Sequence, residues 1–219
     1  MLLSTAYAPP VQYFCKLFAS PLVKLEAHEH YIKQTYRSRC HIATAQGMRP
    51  LSIPVASGAS SACPIREVRI SDHGHWQHNH WQAIRTAYGA SAFFDYLAPE
   101  IAPFYERSWT FLFDYNFEML QTLLRLSDID VCLELTTDFC TTLDAADPIT
   151  QPSASQSFDY RFAIRPKNPP MDPYFIPACY YQTNAARTGF IPNLSILDLL
   201  FECGPETPLV LKRSIHCAD

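Results

Sequence analysis

Three short segments at the N-terminus restrict the topology more than anything after them. Met1-Leu2-Leu3-Ser4-Thr5-Ala6 is an apolar run of strand length. Tyr7-Ala8-Pro9-Pro10 breaks it. Val11, Phe14, Cys15 and Phe18 then recur at i, i+3, i+4 and i+7, which predicts a helix from Val11 to Phe18 with proline at its start. Val23-Lys24-Leu25-Glu26-Ala27 alternates as a strand does. Strand, helix, strand in so little chain implies a crossover joining two parallel strands.

The remaining periodicities fill out an α/β fold. Tyr36 to Thr44 and Leu51 to Val55, around Ala45-Gln46-Gly47-Met48, predict a hairpin or a pair of neighbouring strands. Val68 to Ile70 reads as a short strand, and Val131 to Leu135 as another. Trp76, His80, Ala83, Ile84 and Ala87 lie at helical spacing, so Trp76 to Tyr88 is a helix. Phe93 to Leu97 and Pro99 to Arg107 read as two short helical pieces, and Thr110 to Leu126 as the longest helix. Thr141 to Ser157 is polar and small and predicts a mobile loop, not a boundary, because too little follows it to build a second core. Tyr160 to Ile164 reads as extended, and the prolines from Pro166 to Pro177 as a rigid surface excursion. The expectation is one α/β domain over residues 1–219, with a mixed, partly parallel sheet that the hairpin extends, flanked by helices.

Bulk chemistry excludes several classes. Apolar residues make up 48% and charged residues 17%, so most of the chain is foldable. A net charge of −4 argues against a general nucleic-acid binder. There are only 6 glycines, and no G-x-G-x-x-G or Walker pattern occurs. No run of about 18 apolar residues is present, so no membrane span is expected. The eight cysteines form no C-x-x-C and are widely spaced, which reads as reduced thiols in the cytoplasm. No secretory leader is legible, since Pro9-Pro10 interrupts the first apolar run.

Few residues carry chemistry. Four histidines crowd Asp72 to His80, but His78 and His80 diverge by about 200° on a helix. No H-E-x-x-H occurs, so no metal site is assigned. His80 faces inward with Trp76 and Ile84, and is either a general base or a hydrogen-bonded core histidine. Lys33, Arg37 and Arg39 point the same way if the chain is extended there, with Tyr31 and Tyr36 nearby. They form an anion site, or else a solvated strand face paired with Glu26 or Glu29. Lys16 either joins them or snorkels. Asp159, Arg161 and Arg165 share a face of an extended segment, as a polar wall or a surface ion pair. Near the C-terminus, Ser195-Ile196-Leu197-Asp198 has the form of a capping box, with Gly204 at the far end of the helix and Pro205 beyond. Asp198 puts a negative charge at that helix N-terminus, so an anion there would meet a like charge. Asn193, outside the box, is free to touch a ligand.

Tyr7-Ala8-Pro9-Pro10-Val11-Gln12-Tyr13-Phe14-Cys15-Lys16, the block from Tyr31 to Arg39, Ser52-Ile53-Pro54-Val55, Trp76…His80…Tyr88 and Phe190 to Gly204 together resemble the WbqC-like family. The likeness covers most of the chain and is most specific over Phe190 to Gly204. Departures occur: Leu3-Ser4-Thr5 stands where many members have His-Gln-Pro, Ala27-His28 where many have an acidic pair, and Ser38 and Cys40 where asparagines flank the arginine. The resemblance implies a setting in bacterial surface-polysaccharide (O-antigen-like) synthesis and does not supply a mechanism. The resulting expectation is a transferase acting on an anionic small molecule, such as a nucleotide sugar or acyl carrier. His80 would be the base and Asp198 would orient it or the acceptor. Lys16, Tyr31, Lys33, Arg37, Arg39, Asn193 and Ser195 would hold the substrate. The alternative is a non-catalytic small-molecule or partner-binding protein of the same pathway. No cofactor is indicated, and the oligomeric state is not legible.

Overall fold

A computed structural model describes residues 1–57, 59–141 and 158–216. The expected loop falls, from residue 142 on, outside the described residues. So does Cys217.

The N-terminal crossover forms as the sequence implies. β1 (Leu2–Ser4) leads into α1 (Val11–Phe18) and then β2 (Leu22–Glu26), which pairs parallel with β1. β5 (Cys132–Leu135) adds in parallel on the other side of β2, giving the order β1-β2-β5. The outer edge of β1 is covered by the chain near Asp159: Leu2 donates to the Phe158 carbonyl at 2.8 Å and Tyr160 donates to the Leu2 carbonyl at 2.9 Å. Such cover removes a row of unpaired donors and acceptors.

The hairpin of β3 (Arg39–Thr44) and β4 (Gly47–Ser52) does not extend this sheet as expected; it is a separate antiparallel pair. The outer edge of β3 is already consumed. The His41 carbonyl accepts from the Ser195 amide at 2.8 Å, and the Ala43 amide donates to the Tyr88 hydroxyl at 3.0 Å. With those backbone groups satisfied by helical neighbours, no further strand can add there. Two other expectations change. Val68 to Ile70 makes only single bridges, to Val55 and Phe111, and residues 161–163 turn instead of extending.

The helices are α2 (Trp76–Tyr88), α3 (Phe94–Ile101), α4 (Pro103–Glu106), α5 (Leu112–Leu126), α6 (Ala185–Thr188), α7 (Ile196–Cys203) and α8 (Thr207–Ser214). α2 and α1 match their predicted limits. The buried apolar side chains form one continuous cluster from β1 and β2 through α1, α2 and α5 to α7. Every residue of α7 is buried. Each of its Leu, Ile and Phe side chains contributes about 1.5–3 kcal/mol by leaving water.

α7 stops at Gly204, whose φ of 50° lies in the left-handed region. A Cβ there would sit 2.5 Å from the Phe93 ring, closer than real contacts allow. Gly204→Ala is therefore expected to destabilise the fold by about 1–3 kcal/mol. Urea unfolding at constant m-value reads this directly, and an unchanged midpoint would refute the steric assignment.

Candidate functional site

Of the expected site residues, His80 and Ser195 meet the loop Thr5 to Pro10, at the carboxyl end of β1. Its Tyr7 amide donates to the Tyr36 carbonyl at 2.8 Å, and the Ile196 amide donates to the Pro9 carbonyl at 2.8 Å. Ser195 Oγ donates to the Ala8 carbonyl at 2.8 Å. Tyr7 Oη lies 2.9 Å from His80 Nδ1. The region is solid: Tyr7 and Ala8 are fully buried.

The helix N-termini around this loop are closed to an anion. In α1 the Val11 amide donates to the Leu194 carbonyl at 2.9 Å, and the Gln12 amide donates to Asn193 Oδ1 at 2.9 Å. Asn193 has φ 54°, a conformation asparagine tolerates, and it caps α1 from a remote part of the chain. In α7 the Leu197 amide donates to Ser195 Oγ at 3.3 Å, so Ser195 is the N-cap. The second half of the expected capping box is missing. The Ser195 amide is spent on His41, and Asp198 turns elsewhere. A phosphate finds no orphan donor at either end.

Asp198 is completely buried and accepts from Tyr88 Oη at 2.8 Å, Tyr180 Oη at 2.7 Å and Gln182 Nε2 at 2.9 Å. Burial pushes its carboxyl up to about 6, and the three donors offset part of the rise. His80 belongs to a different set. Burial pushes the imidazole down to about 4; Arg49 adds to the drop, and a hydrogen bond to the Ser52 carbonyl opposes it. His80 Nδ1 lies 2.9 Å from Tyr7 Oη, and Tyr105 Oη lies 3.0 Å from Tyr7 Oη. His80 and Asp198 thus share no hydrogen bond, and the expected base–orienter pair is not formed.

The expected cations separate as well. Residues 33–38 are turn and bend, not strand, so Lys33, Arg37 and Arg39 do not share a strand face. Arg37 is buried in a bidentate pair with Glu29, and its Nε–Oε1 distance is 2.9 Å. Tyr31 is buried with its hydroxyl 2.8 Å from Ser38 Oγ. Lys33 is exposed, and Arg39 Nε donates to Ser52 Oγ at 3.0 Å. Lys16 does not snorkel. It is 3% exposed, 2.7 Å from Asp172 Oδ2. Arg161 is buried between Asp159 (2.7 Å) and Glu26 (2.8 Å), and Arg165 Nε donates to the Asn168 carbonyl at 3.0 Å.

An open groove lies instead between the hairpin and α2. It encloses about 550 Å³ and is lined by Thr44, Gln46, Arg49, Asn79, Gln82 and Thr86, with alanines beneath and Thr183 and Asn184 at one side. Among the described residues, Arg49 contributes the only ionisable side chain of this lining. In the hairpin register Ile42 pairs Arg49 and Arg39 pairs Ser52, so alternation puts Arg39 on the opposite face from Arg49. The sequence held a signal for this groove. Asn79, Gln82, Ala83, Thr86 and Ala87 follow i, i+3, i+4, i+7, i+8, an uncharged stripe beside the core stripe of α2.

The profile of the WbqC-like protein family matches residues 5–209. The chain is also 29% identical over 202 residues to the uncharacterised protein Rv1507c of Mycobacterium tuberculosis, covering 83% of this chain and 84% of that one. No solved structure matches it. Among the described residues no group of three or more His, Cys, Asp or Glu side chains is placed to hold a metal, and no helix is long and apolar enough to cross a membrane.

The two shifted groups make opposite demands on stability. His80 has a depressed pKa, so between pH 6.5 and about 4 the unfolded chain binds more protons, and stability is lost as pH falls. Asp198 has a raised pKa, so between about 6 and 3.8 the folded chain binds more protons, and stability is gained as pH falls. Wild type should therefore show partial cancellation. Asp198→Asn should lose about 2–3 kcal/mol more than wild type between pH 6.5 and 4. Parallel slopes in urea unfolding across that range would contradict the assignment.

Proposed function

The chain belongs to the WbqC-like protein family, and on that premise we propose that it binds an anionic sugar derivative, of the nucleotide-sugar kind, during assembly of a bacterial surface polysaccharide. The observation that carries this reading is the groove over α2. A permanent guanidinium among amides and hydroxyls suits an anionic, hydroxyl-rich ligand, and its volume lies in the range of small-molecule sites. Among the described residues its lining holds no carboxylate, imidazole, amine or thiol, which favours holding a ligand over transforming it. The seven described cysteines are free thiols, which fits a cytosolic setting where such donors are handled.

A second reading, transfer from the bound donor with His80 as base, is favoured by position: His80 stands on α2 next to Asn79, which lines the groove. The imidazole is buried, so it must then become accessible to reach a substrate. The two readings part on turnover.

Thermal-shift and calorimetric titration against UDP-, GDP- and dTDP-sugars should identify at least one stabilising ligand. Arg49→Ala should weaken it about 10–100-fold, the loss of one charge-assisted hydrogen bond, and Arg39→Ala should leave it unchanged. No stabilisation by any of these compounds overturns the reading. Turnover that His80→Gln abolishes while binding persists selects the transferase.

A further inference from the structure

We propose a second ligand site, remote from the groove, that takes an uncharged aryl or short acyl group through its carbonyl. It is a cavity of about 190 Å³ where the end of α1 meets the end of α8, lined in part by Lys16, Ala19, Phe158, Tyr160, Tyr174 and Ile215. An apolar cavity of about 150 Å³ already accommodates a benzene ring. The three aromatic rings stand at mutual tilts: Phe158 and Tyr160 lie 6.2 Å apart at 30°, Phe158 and Tyr174 5.9 Å apart at 64°. Phe158 packs on both tyrosines, so the three rings form one continuous apolar wall of the cavity.

The polar anchor is Lys16. A buried ion pair gains little over apolar packing of the same shape, so the fold alone gives weak reason for one here. The Lys16 ammonium lies 4.6 Å from the Tyr160 ring centre and 5.6 Å from that of Tyr174, against two walls of the cavity. It meets Asp172 Oδ1 at 3.0 Å and Oδ2 at 2.7 Å. An ammonium has three N–H groups, so two serve Asp172 and one is left for the ring faces or an acceptor between them. Asp172 itself accepts from Gln12 Nε2 at 2.8 Å and the Tyr174 amide at 3.1 Å, so its oxygens are occupied. The pair therefore offers one donor and no net charge. A carbonyl oxygen suits that donor. Asp172 does not line the cavity but sits behind the ammonium, so a carboxylate drawn to that donor would approach its charge, and an ammonium would meet Lys16; Met1 and His216 border the cavity at other points.

Benzamide, benzoate and benzylamine share a ring and differ in charge, so titrating each into the full chain by NMR tests both site and class. Benzamide should bind with a dissociation constant of about a millimolar or tighter, as expected of nine heavy atoms. Benzoate and benzylamine should each bind at least about tenfold more weakly. Ala19 is exposed at the end of α1 in right-handed backbone, so Ala19→Phe should plug the mouth without disturbing the fold and abolish the benzamide shifts. Ile215→Trp does the same from the opposite wall. Arg49→Ala should leave benzamide binding intact, which separates this site from the groove. Absence of benzamide binding, equal binding of benzoate, or binding that survives both plugs overturns the proposal.

Discussion

The backbone of Thr5 to Pro10 is the constraint on which the rest of the molecule depends. Six residues between a strand and its crossover helix supply hydrogen bonds to segments around residues 36 and 196, and the Tyr7 side chain reaches His80. A buried backbone group left unpaired costs about 1–3 kcal/mol, so each of these attachments is obligatory once the loop is inside. The loop accepts a further cost at Ala8, a non-glycine residue with φ 38°. That conformation is disfavoured by about 1–2 kcal/mol and persists only where surrounding contacts dictate it. The first residues and the last helices are thus one unit, although 187 positions separate Ala8 from Ser195.

This arrangement displaces function from the place an α/β fold usually reserves for it. Ligands of open parallel sheets bind beyond the carboxyl ends of the strands. Here that region holds Arg37, Arg161, Glu26 and Glu29, all close to fully buried, and Asp159, which is partly buried. Phe139 and Phe162 cover the Arg161 guanidinium, with ring centres 5.0 and 5.6 Å away. Glu26 alone accepts from the His28 amide, Thr136 Oγ1, the Cys140 amide and Arg161. Burial raises the Glu29 carboxyl while Arg37 holds it down. Such a network is stable only when complete, because removing one partner leaves a buried charge uncompensated. Charge, helix ends and strand ends are all committed to the fold, and open binding surface survives at its periphery.

Local periodicity made most of this architecture legible. The spacing of Val11, Phe14, Cys15 and Phe18 fixed α1, the Trp76–Ile84 stripe fixed α2, and the parallel pair followed from what lies on either side of α1. The failures share a cause. Whether the hairpin joins the sheet depends on His41 and Ala43 finding partners on α7's N-cap and on Tyr88, at sequence separations no pattern encodes. The Ser195–Asp198 spacing correctly marked a helix start, yet Asp198 serves three donors instead of the N-cap, because Tyr88, Tyr180 and Gln182 come from elsewhere in the chain. Asn193 looked available because its partner, the start of α1, lies 181 positions away.

The cations show the same limit most sharply. A lysine or arginine beside tyrosines invites an anion, and three such residues around Arg37 invited one. In a chain of net charge −4, however, acids outnumber bases, and a cation that folds inward is met by one of the protein's own carboxylates. Lys16 finds Asp172 at 156 positions' distance and Arg161 finds Glu26 at 135. A buried cation is therefore poor evidence for an external anion, since the desolvation that would sharpen recognition also demands a resident partner. Arg49 escapes because a strand beside a turn leaves it exposed, and because the neighbouring face of α2 presents Asn79, Gln82 and Thr86, none of which can neutralise it. For chains of this composition, the informative pattern is a lone cation next to an uncharged, hydrogen-bonding stripe, and a cluster of cations near acids points more often to a core.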